Sequence, residues 1–370
     1  MTFLDLLFYI FSVVVLIQVV YYLFLFGKFA FLKPKKRTPK YYPVSVIICA
    51  KNEAENLKTF LPSIVSQDYP NFEIVLINDA SHDNTLEVME AFSKKYDNIK
   101  IVDVKNNEAF WANKKYALTL GIKASKHNYL LFTDADCKPV SNQWIKNMYS
   151  HFNSQKTIVL GYGAYSKIKK SFINKIIRFE TLITAIQYVS FAKIGLPYMG
   201  VGRNLAYTKK EFYDANGFMN HMKIRSGDDD LFINQVANKS NTAICIAKDS
   251  FTESVPKTSF KDWFKQKRRH VSTANHYKFK HKVLLALFYI SQFLFWSLAC
   301  ILLITNFKWQ IVMSLFLLRL VIQYVIIGLS AKKLNEIDLI FLLPFLEIFL
   351  IISQLAIFIN NLISKPNYWK

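Results

Sequence analysis

The sequence has little cysteine, and its four cysteines are far apart. Cys49, Cys137, Cys245 and Cys300 include no C-x-x-C pair, a spacing that argues against a zinc site or a disulfide framework. We therefore expect reduced thiols, most of them buried. Charged residues make up only 20% of the 370 residues and hydrophobic residues 52%, which excludes disordered, collagen-like and disulfide-scaffold proteins.

Acidic residues are also scarce. There are 26 Asp and Glu against 47 Lys and Arg, a formal charge of +21. A nucleic-acid binder or a protein on anionic lipid could carry such an excess. Because the positive charge flanks apolar tracts instead of forming an aromatic-interleaved surface, we expect membrane lipid and no nucleic acid as a partner.

Four apolar stretches are long enough to cross a hydrocarbon core of ~30 Å. The first, 6–26, lacks the basic region and the cleavage site of a signal peptide. The others cover 283–305, 309–329 and 339–359. We therefore predict an N-terminal transmembrane anchor over residues 1–32 and a C-terminal membrane domain of three transmembrane helices over 283–363.

The charges around these stretches predict the topology. Six basic residues between 28 and 40 follow the first stretch, whereas only Asp5 precedes it, so the positive-inside rule places the N-terminus outside. The chain is then a multi-pass protein of the inner membrane with a cytosolic domain over 43–281. Arg319 and Glu347 lie inside two of the stretches, and we expect them to face each other or a polar cavity.

Residues 43–281 alternate between short apolar runs and helical patterns. The runs end at Ala50, Asp79, Val104 and Asp134, and the helical patterns cover 53–66, 84–96 and 113–125. This alternation predicts an α/β domain whose central sheet is mostly parallel. Ligands of such sheets bind beyond the carboxyl ends of the strands, where polar clusters occur at 50–56, 78–85 and 133–137.

The sharpest cluster is TDADC, which contains Asp134 and Asp136. Two carboxylates on a turn after a strand can ligate Mg²⁺ or Mn²⁺ and leave positions for phosphate oxygens. A solvated acidic turn is the alternative for a D-x-D taken alone.

Several ordered motifs between residues 44 and about 270 resemble the family 2 glycosyltransferases, an inverting family with a nucleotide-sugar-binding, GT-A-like domain. Besides the D-x-D, they are VSVIICAKNEAENL at 44–57, NDASHDNT at 78–85, a segment led by Lys114, GVGRNLAY at 200–207, GDDDL at 227–231 and QKRRH at 266–270. Three positions depart from the family pattern: Ala50 stands where Pro is frequent, Asn113 replaces a Gly and His270 replaces a Trp.

The resemblance implies a role for each motif. The residues implied for the nucleotide sugar are Ala50, Glu53, Asp79, Lys114 and Asp134. The implied ligands of Mg²⁺ or Mn²⁺ are Asp134 and Asp136. The implied catalytic residues are Asp228, Asp229, Gln266 and Arg269. The residues implied on the acceptor side are Gly202, Arg203, Asn204 and His270.

Inversion requires a base on the opposite side of the sugar from the leaving group. Asp228 aligns with the base of the family, and Asp229 is the alternative. The acids could also simply favour the start of a helix. The segment 172–194 mixes apolar and charged residues, which suits an interfacial amphipathic helix or a core helix.

The pattern therefore predicts a membrane-bound inverting glycosyltransferase that moves a sugar, most simply from a UDP-sugar, to a lipid or lipid-linked acceptor. A processive polysaccharide synthase is the first alternative, although four spans are few for a channel and His270 replaces an aromatic support for the acceptor. A catalytically inactive nucleotide-binding membrane subunit is the alternative of another class.

Overall fold

The computed structural model describes residues 1–33, 38, 40–105, 114–224 and 226–364. The chain divides into two compact units. Within the described residues, the α/β unit comprises Pro34–Asn174 and Gly195–Asp262, and the helical unit comprises Met1–Lys33, Lys175–Ile194 and Trp263–Pro366. Each unit therefore contains segments that are far apart in the sequence.

Ten strands lie in the described residues. They are β1 (Val44–Ala50), β2 (Phe72–Asp79), β3 (Ile99–Val104), β4 (Tyr129–Asp134), β5 (Cys137–Pro139), β6 (Ile158–Leu160), β7 (Gly163–Tyr165), β8 (Leu205–Thr208), β9 (Thr242–Ile244) and β10 (Thr252–Ser254).

The described residues also form thirteen α-helices. They are α1 (Phe3–Val20), α2 (Gly27–Ala30), α3 (Ala54–Val65), α4 (Thr85–Lys95), α5 (Lys114–Ala124), α6 (Trp144–Tyr149), α7 (Phe172–Lys193), α8 (Lys209–Asp214), α9 (Asp230–Val236), α10 (Phe260–Ser272), α11 (Phe279–Ile304), α12 (Trp309–Lys333) and α13 (Leu343–Ile363).

The central sheet of the α/β unit has seven strands in the order β3-β2-β1-β4-β8-β6-β9. The four strands β3, β2, β1 and β4 are parallel to their neighbours, and β8 is antiparallel to β4 and β6. The mostly parallel α/β sheet is therefore confirmed. The strand β1 reads VSVIICA without alternation because both of its faces are covered.

The predicted strands and helices of this sheet agree with the structure to within about two residues. The helix predicted over 113–125 is α5, and Asn113 itself lies outside the described residues. A second, three-stranded sheet has the order β5-β10-β7. It pairs Cys137 with Ser254, so the chain directly after the D-x-D is fixed by a distant strand.

Four helices of the helical unit are long and apolar enough to cross a membrane. They cover Phe3–Ala30, Phe279–Ile304, Trp309–Lys333 and Ile337–Ile363. A π-helical turn, Tyr21–Phe26, joins α1 to α2 within the first of them. The four apolar stretches are thus confirmed as helices of spanning length.

Arg319 and Glu347 face each other inside the helical unit, as expected. Arg319 Nη2 lies 2.6 Å from Glu347 Oε1, and both side chains are buried. Gln292 and Trp296 of α11 donate to the two carboxylate oxygens at 2.8 and 3.0 Å. Gln18 of α1 accepts from Arg319 at 2.9 Å. One ion pair therefore joins all four long helices.

The helix α7 covers the segment for which the sequence allowed either an interfacial amphipathic helix or a core helix. Every residue between its exposed ends, Phe172 and Lys193, is buried or half-buried. Arg178 of this helix contacts Glu336 and lies 2.6 Å from Asp338. This burial favours a core helix over an interfacial one.

Candidate active site

The site lies at the carboxyl ends of the parallel strands. Register pairs Ala50 of β1 with Asn78 of β2, and Cys49 of β1 with Asp134 of β4, so these strands end at the same edge of the sheet. A pocket at this edge is lined by Ile47, Cys49, Lys114, Leu118, Phe132, Thr133, Asp134, Gly202, Leu205, Tyr207, Asp228 and Asp229.

Lys114, the first residue of α5, joins two of the motifs. Its Nζ lies 2.9 Å from Asp134 Oδ1 and 2.9 Å from Asp228 Oδ2, and its side chain is only 15% exposed. Burial lowers the pKa of Lys114, but the charges of Asp134 and Asp228 outweigh this effect and hold the pKa well above its usual value. The ammonium group therefore stays charged and can donate charge-assisted hydrogen bonds to anions.

Asp228 and Asp229 are adjacent in the sequence, but their pKa values are shifted in opposite directions. Burial raises the pKa of Asp228, but the ion pair with Lys114 outweighs it, and the pKa is lowered. For Asp229, burial and the charges of Asp228 and Asp230 raise the pKa to about 7. The first acid is therefore ionised at neutral pH, and the second is about half protonated.

Backbone contacts fix the orientation of Asp229. Its Oδ2 accepts from the backbone N–H of Gly202 at 2.6 Å, and its Oδ1 accepts from the N–H of Asp230 at 2.7 Å at the start of α9. Gly227 precedes the acids with φ +93°, and a Cβ there would lie 2.5 Å from Leu231 Cδ1. Glycine is thus required for the turn that presents the acids.

Asp79 ends β2 with an acceptor that has no partner among the described residues. Its side chain is 4% exposed, and Oδ2 is buried without a hydrogen bond. Burial raises the pKa of Asp79, and nearby Lys51 and Lys114 act in the opposite direction. Because buried polar atoms are almost always satisfied, this oxygen is a candidate for contact with a ligand.

The turn after β1 is bonded to the turn after β2. The backbone N–H of Glu53 donates to Thr85 Oγ1 at 2.9 Å, and that of Ala54 donates to Asp83 Oδ2 at 3.3 Å. Glu53 Oε2 accepts from Asn56 at 2.5 Å, and Ala50 is buried at the strand end. Glu53 and Ala50 therefore belong to the bonded turn at the end of β1, next to the pocket residue Cys49.

The D-x-D turn groups three possible metal ligands. One ligand atom each from Asp134, Asp136 and Cys137 lies within 4.8 Å of the others. Burial and the charge of Asp134 raise the pKa of Asp136, so a cation here would relieve an unfavourable pair of charges. The Cys137 sulfur lies 2.8 Å from Ser254 Oγ, and burial raises the pKa of this thiol. The two carboxylates fit a hard divalent cation, whereas the thiol stays protonated.

Two of the predicted acceptor-side residues, Gly202 and Arg203, differ in what they contact. Gly202 contacts Asp229, as described, and so lies at the site. Arg203 stacks over the Tyr165 ring at 4.1 Å and donates to the Ala164 carbonyl at 2.9 Å.

Asn204 is buried, and its amide is fully engaged. Its Nδ2 donates to the carbonyls of Tyr162 and Ser250 at 2.9 and 2.7 Å, and its Oδ1 accepts from Trp144 Nε1 at 3.0 Å. These bonds give Asn204 a scaffold role, and its place on the acceptor side stays a prediction.

Gln266, Arg269 and His270 lie on α10 in the helical unit, so the site described above contains none of them. His270 is exposed, and the other two are half-buried.

Sequence reasoning missed Lys115. This buried residue donates from Nζ to the carbonyls of His221 and Ile224 at 2.7 and 2.8 Å. A signal was available, because Lys115 shares one helix face with the apolar residues Leu118 and Ile122. A lysine on the buried face of a helix needs a specific partner.

Three comparisons bear on this site. Residues 45–224 match the model of glycosyl transferase family 2. Glycosyltransferase AglE of Haloferax volcanii is 30% identical over 193 residues, 50% of this chain and 58% of AglE. Poly-beta-1,6-N-acetyl-D-glucosamine synthase of Staphylococcus epidermidis is 39% identical over 93 residues, 25% of this chain and 21% of the synthase. The chain thus spans less than two thirds of these relatives.

A solved structure agrees in fold. The mannosyltransferase PcManGT from Pyrobaculum calidifontis, in complex with GDP-Man and Mn²⁺, superposes with a TM-score of 0.59 at 17% identity, over 90% of this chain and 99% of that one. Together with the parallel sheet and the site at its carboxyl edge, the superposition shows a GT-A-like fold, and residues 45–224 are similar to the glycosyl transferase family 2 domain.

Proposed function

We propose that the chain is a membrane-bound inverting glycosyltransferase. It moves a sugar from a UDP-sugar to a lipid or lipid-linked acceptor at the cytosolic face of the inner membrane. The observation that carries the proposal is Lys114, which holds the D-x-D aspartate Asp134 and the acid Asp228 at 2.9 Å each in one pocket. The Lys114 ammonium group thus lies between the acid proposed to bind the metal and the acid proposed as the base. This placement suits the transfer of a sugar from a nucleoside diphosphate.

On the donor side, Asp79, whose Oδ2 has no hydrogen-bond partner among the described residues, accepts from the nucleotide base. Ala50 and Glu53 are assigned to the donor by the resemblance. Asp136, assisted by Asp134, would hold Mg²⁺ or Mn²⁺. When bound, the cation would neutralise the negative charge that develops on the departing diphosphate. When the donor binds, Lys114 releases the two carboxylates and donates hydrogen bonds to the same phosphates.

Asp228 is the proposed base. It is ionised in the free site, and release from Lys114 on donor binding would increase its basicity. Asp229 is the alternative, favoured by a pKa of about 7, which is matched to general-base catalysis at neutral pH. Both acids lie at the pocket, so geometry alone is consistent with either.

The acceptor side is proposed from the motifs and from the spanning helices. Gly202 lines the pocket, whereas Arg203 and His270 are assigned to the acceptor side by the resemblance. The resemblance assigns Gln266 and Arg269 to catalysis. Four helices of spanning length favour an acceptor that resides in the bilayer. The names of the relatives include both a transferase and a polysaccharide synthase.

A donor screen tests the proposal. Detergent-solubilised protein is incubated with UDP-glucose, UDP-N-acetylglucosamine and GDP-mannose, and release of the nucleoside diphosphate is measured with and without chelator. We expect turnover of a UDP-sugar that chelator abolishes and Mn²⁺ or Mg²⁺ restores. Asp136→Asn should lose this turnover, whereas Asp214→Asn, a matched change at an exposed acid of α8, should keep it.

Absence of turnover of every nucleotide sugar would contradict the proposal, and binding of a nucleotide sugar without turnover would favour the inactive nucleotide-binding subunit. Full activity in excess chelator would contradict the metal assignment alone.

A processive synthase is the second candidate, since 93 residues are 39% identical to a polysaccharide synthase. Product length separates the two functions. A single added sugar on a lipid acceptor supports the proposal, and a ladder of long chains from labelled donor supports the synthase.

A further inference from the structure

Lys115 is buried without an acidic partner at bonding distance among the described residues. Its side chain is 1% exposed, and the ammonium donates to two backbone carbonyls, those of His221 and Ile224. Burying an ammonium group is costly unless it is hydrogen-bonded. A contact of this kind stabilises the fold of the segment that supplies the carbonyls.

That segment leads directly to the acids. His221 ends a short 3₁₀ turn, and the N–H of Ile224 donates to the His221 carbonyl at 3.0 Å. Gly227 then turns the chain into Asp228. The described residues of this segment, 221–224 and 226–228, belong to no strand or α-helix, so side-chain bonds such as these contribute to their order.

The two lysines at the start of α5 hold the two ends of this segment. Lys115 binds its beginning, and Lys114 binds Asp228 at its end. Successive helical residues point about 100° apart, so the two ammonium groups reach different partners from one rigid turn. In the proposed reaction Lys114 leaves Asp228 and binds the donor. The hydrogen bonds of Lys115 then still connect the segment to α5.

We propose that Lys115 is a positioning residue that holds the segment 221–228, and with it Asp228 and Asp229, in place while Lys114 binds the donor. This role rests on the proposed function. Lys115 itself does not touch the reacting atoms.

The test uses Lys115→Met in the full-length protein, with Lys123→Met as the matched control. Lys123 lies on the same helix but is exposed. We expect kcat to fall on the order of 10- to 100-fold in Lys115→Met, with the KM and Kd of the donor within about threefold of the wild type. Lys123→Met should leave all three unchanged, and Lys115→Arg should recover part of the loss.

Hydrogen exchange gives a readout that needs no activity. Amide protons of 221–224 should exchange faster in Lys115→Met, whereas those of β4 should keep their protection. This measurement stays informative if no donor is ever turned over, a result that would count against the proposed function instead. An unchanged kcat, unchanged protection of 221–224, or a loss of donor affinity equal to that of Lys114→Met would overturn the positioning role.

Discussion

Among single side chains, the contrast between Asp228 and Asp229 has a direct kinetic consequence. Asp228→Asn should lower transfer on the order of 10²- to 10⁴-fold and leave donor binding nearly intact, because a general base contributes to deprotonation of the acceptor alone. Asp229→Asn should retain most of the transfer. Rates and donor affinities of both variants, measured with the donor found in the screen, check this prediction.

The dependence of the rate on pH separates the two acids further. The pKa of Asp229 is raised to about 7, so its carboxylate fraction falls as the pH drops through 7. A rate that loses about tenfold per pH unit below 7, together with collapse of transfer in Asp229→Asn, would move the base to Asp229. A level rate through this range supports Asp228, whose pKa is lowered.

Among the helices, the ion pair between α12 and α13 predicts a stability effect. Arg319→Met leaves the buried Glu347 carboxylate without its main partner, and breaking such a pair costs about 3–5 kcal/mol. Arg319→Met combined with Glu347→Leu removes both charges and should recover most of the loss. Thermal unfolding of the detergent-solubilised proteins measures both. Equal destabilisation of the single and double variants would contradict this account.

For the chain as a whole, the predicted topology has a specific consequence at the turn between α11 and α12. Lys308 Nζ lies 3.0 Å from Asp5 Oδ1, so the N-terminus and this turn lie at the same end of the helical unit. We therefore expect a cysteine at position 308, in a Cys300→Ser background, to react with an impermeant reagent in intact cells. A cysteine at position 332 should react only after permeabilisation, and the reverse pattern would refute the topology.

The parts of the fold that the sequence predicted well are those with strong local signals. The strands β1 to β4 are uninterrupted apolar runs because both faces of a parallel strand are covered. The spanning helices are recognised by their length together with their uninterrupted apolar composition. Arg319 and Glu347 could be paired in advance because a lone charge among apolar helices needs a partner.

The parts that it missed depend on contacts between distant residues. Asn204 matched an acceptor-side motif, yet its amide bonds to Trp144, Tyr162 and Ser250, which no local pattern predicts. The difference in pKa between Asp228 and Asp229 depends on which of them faces Lys114. Adjacent positions of one motif carry no information about that orientation.

The small sheet also bears on the order in which the chain acquires its parts during synthesis. Among the described residues, the strand β5, directly after the D-x-D, pairs with β10 alone, more than a hundred residues later. A nascent chain can align β1, β2 and β4 as soon as they leave the ribosome, but Ser254 must emerge before Cys137 is covered. The carboxyl edge of the central sheet can therefore form early, and the D-x-D turn closes late.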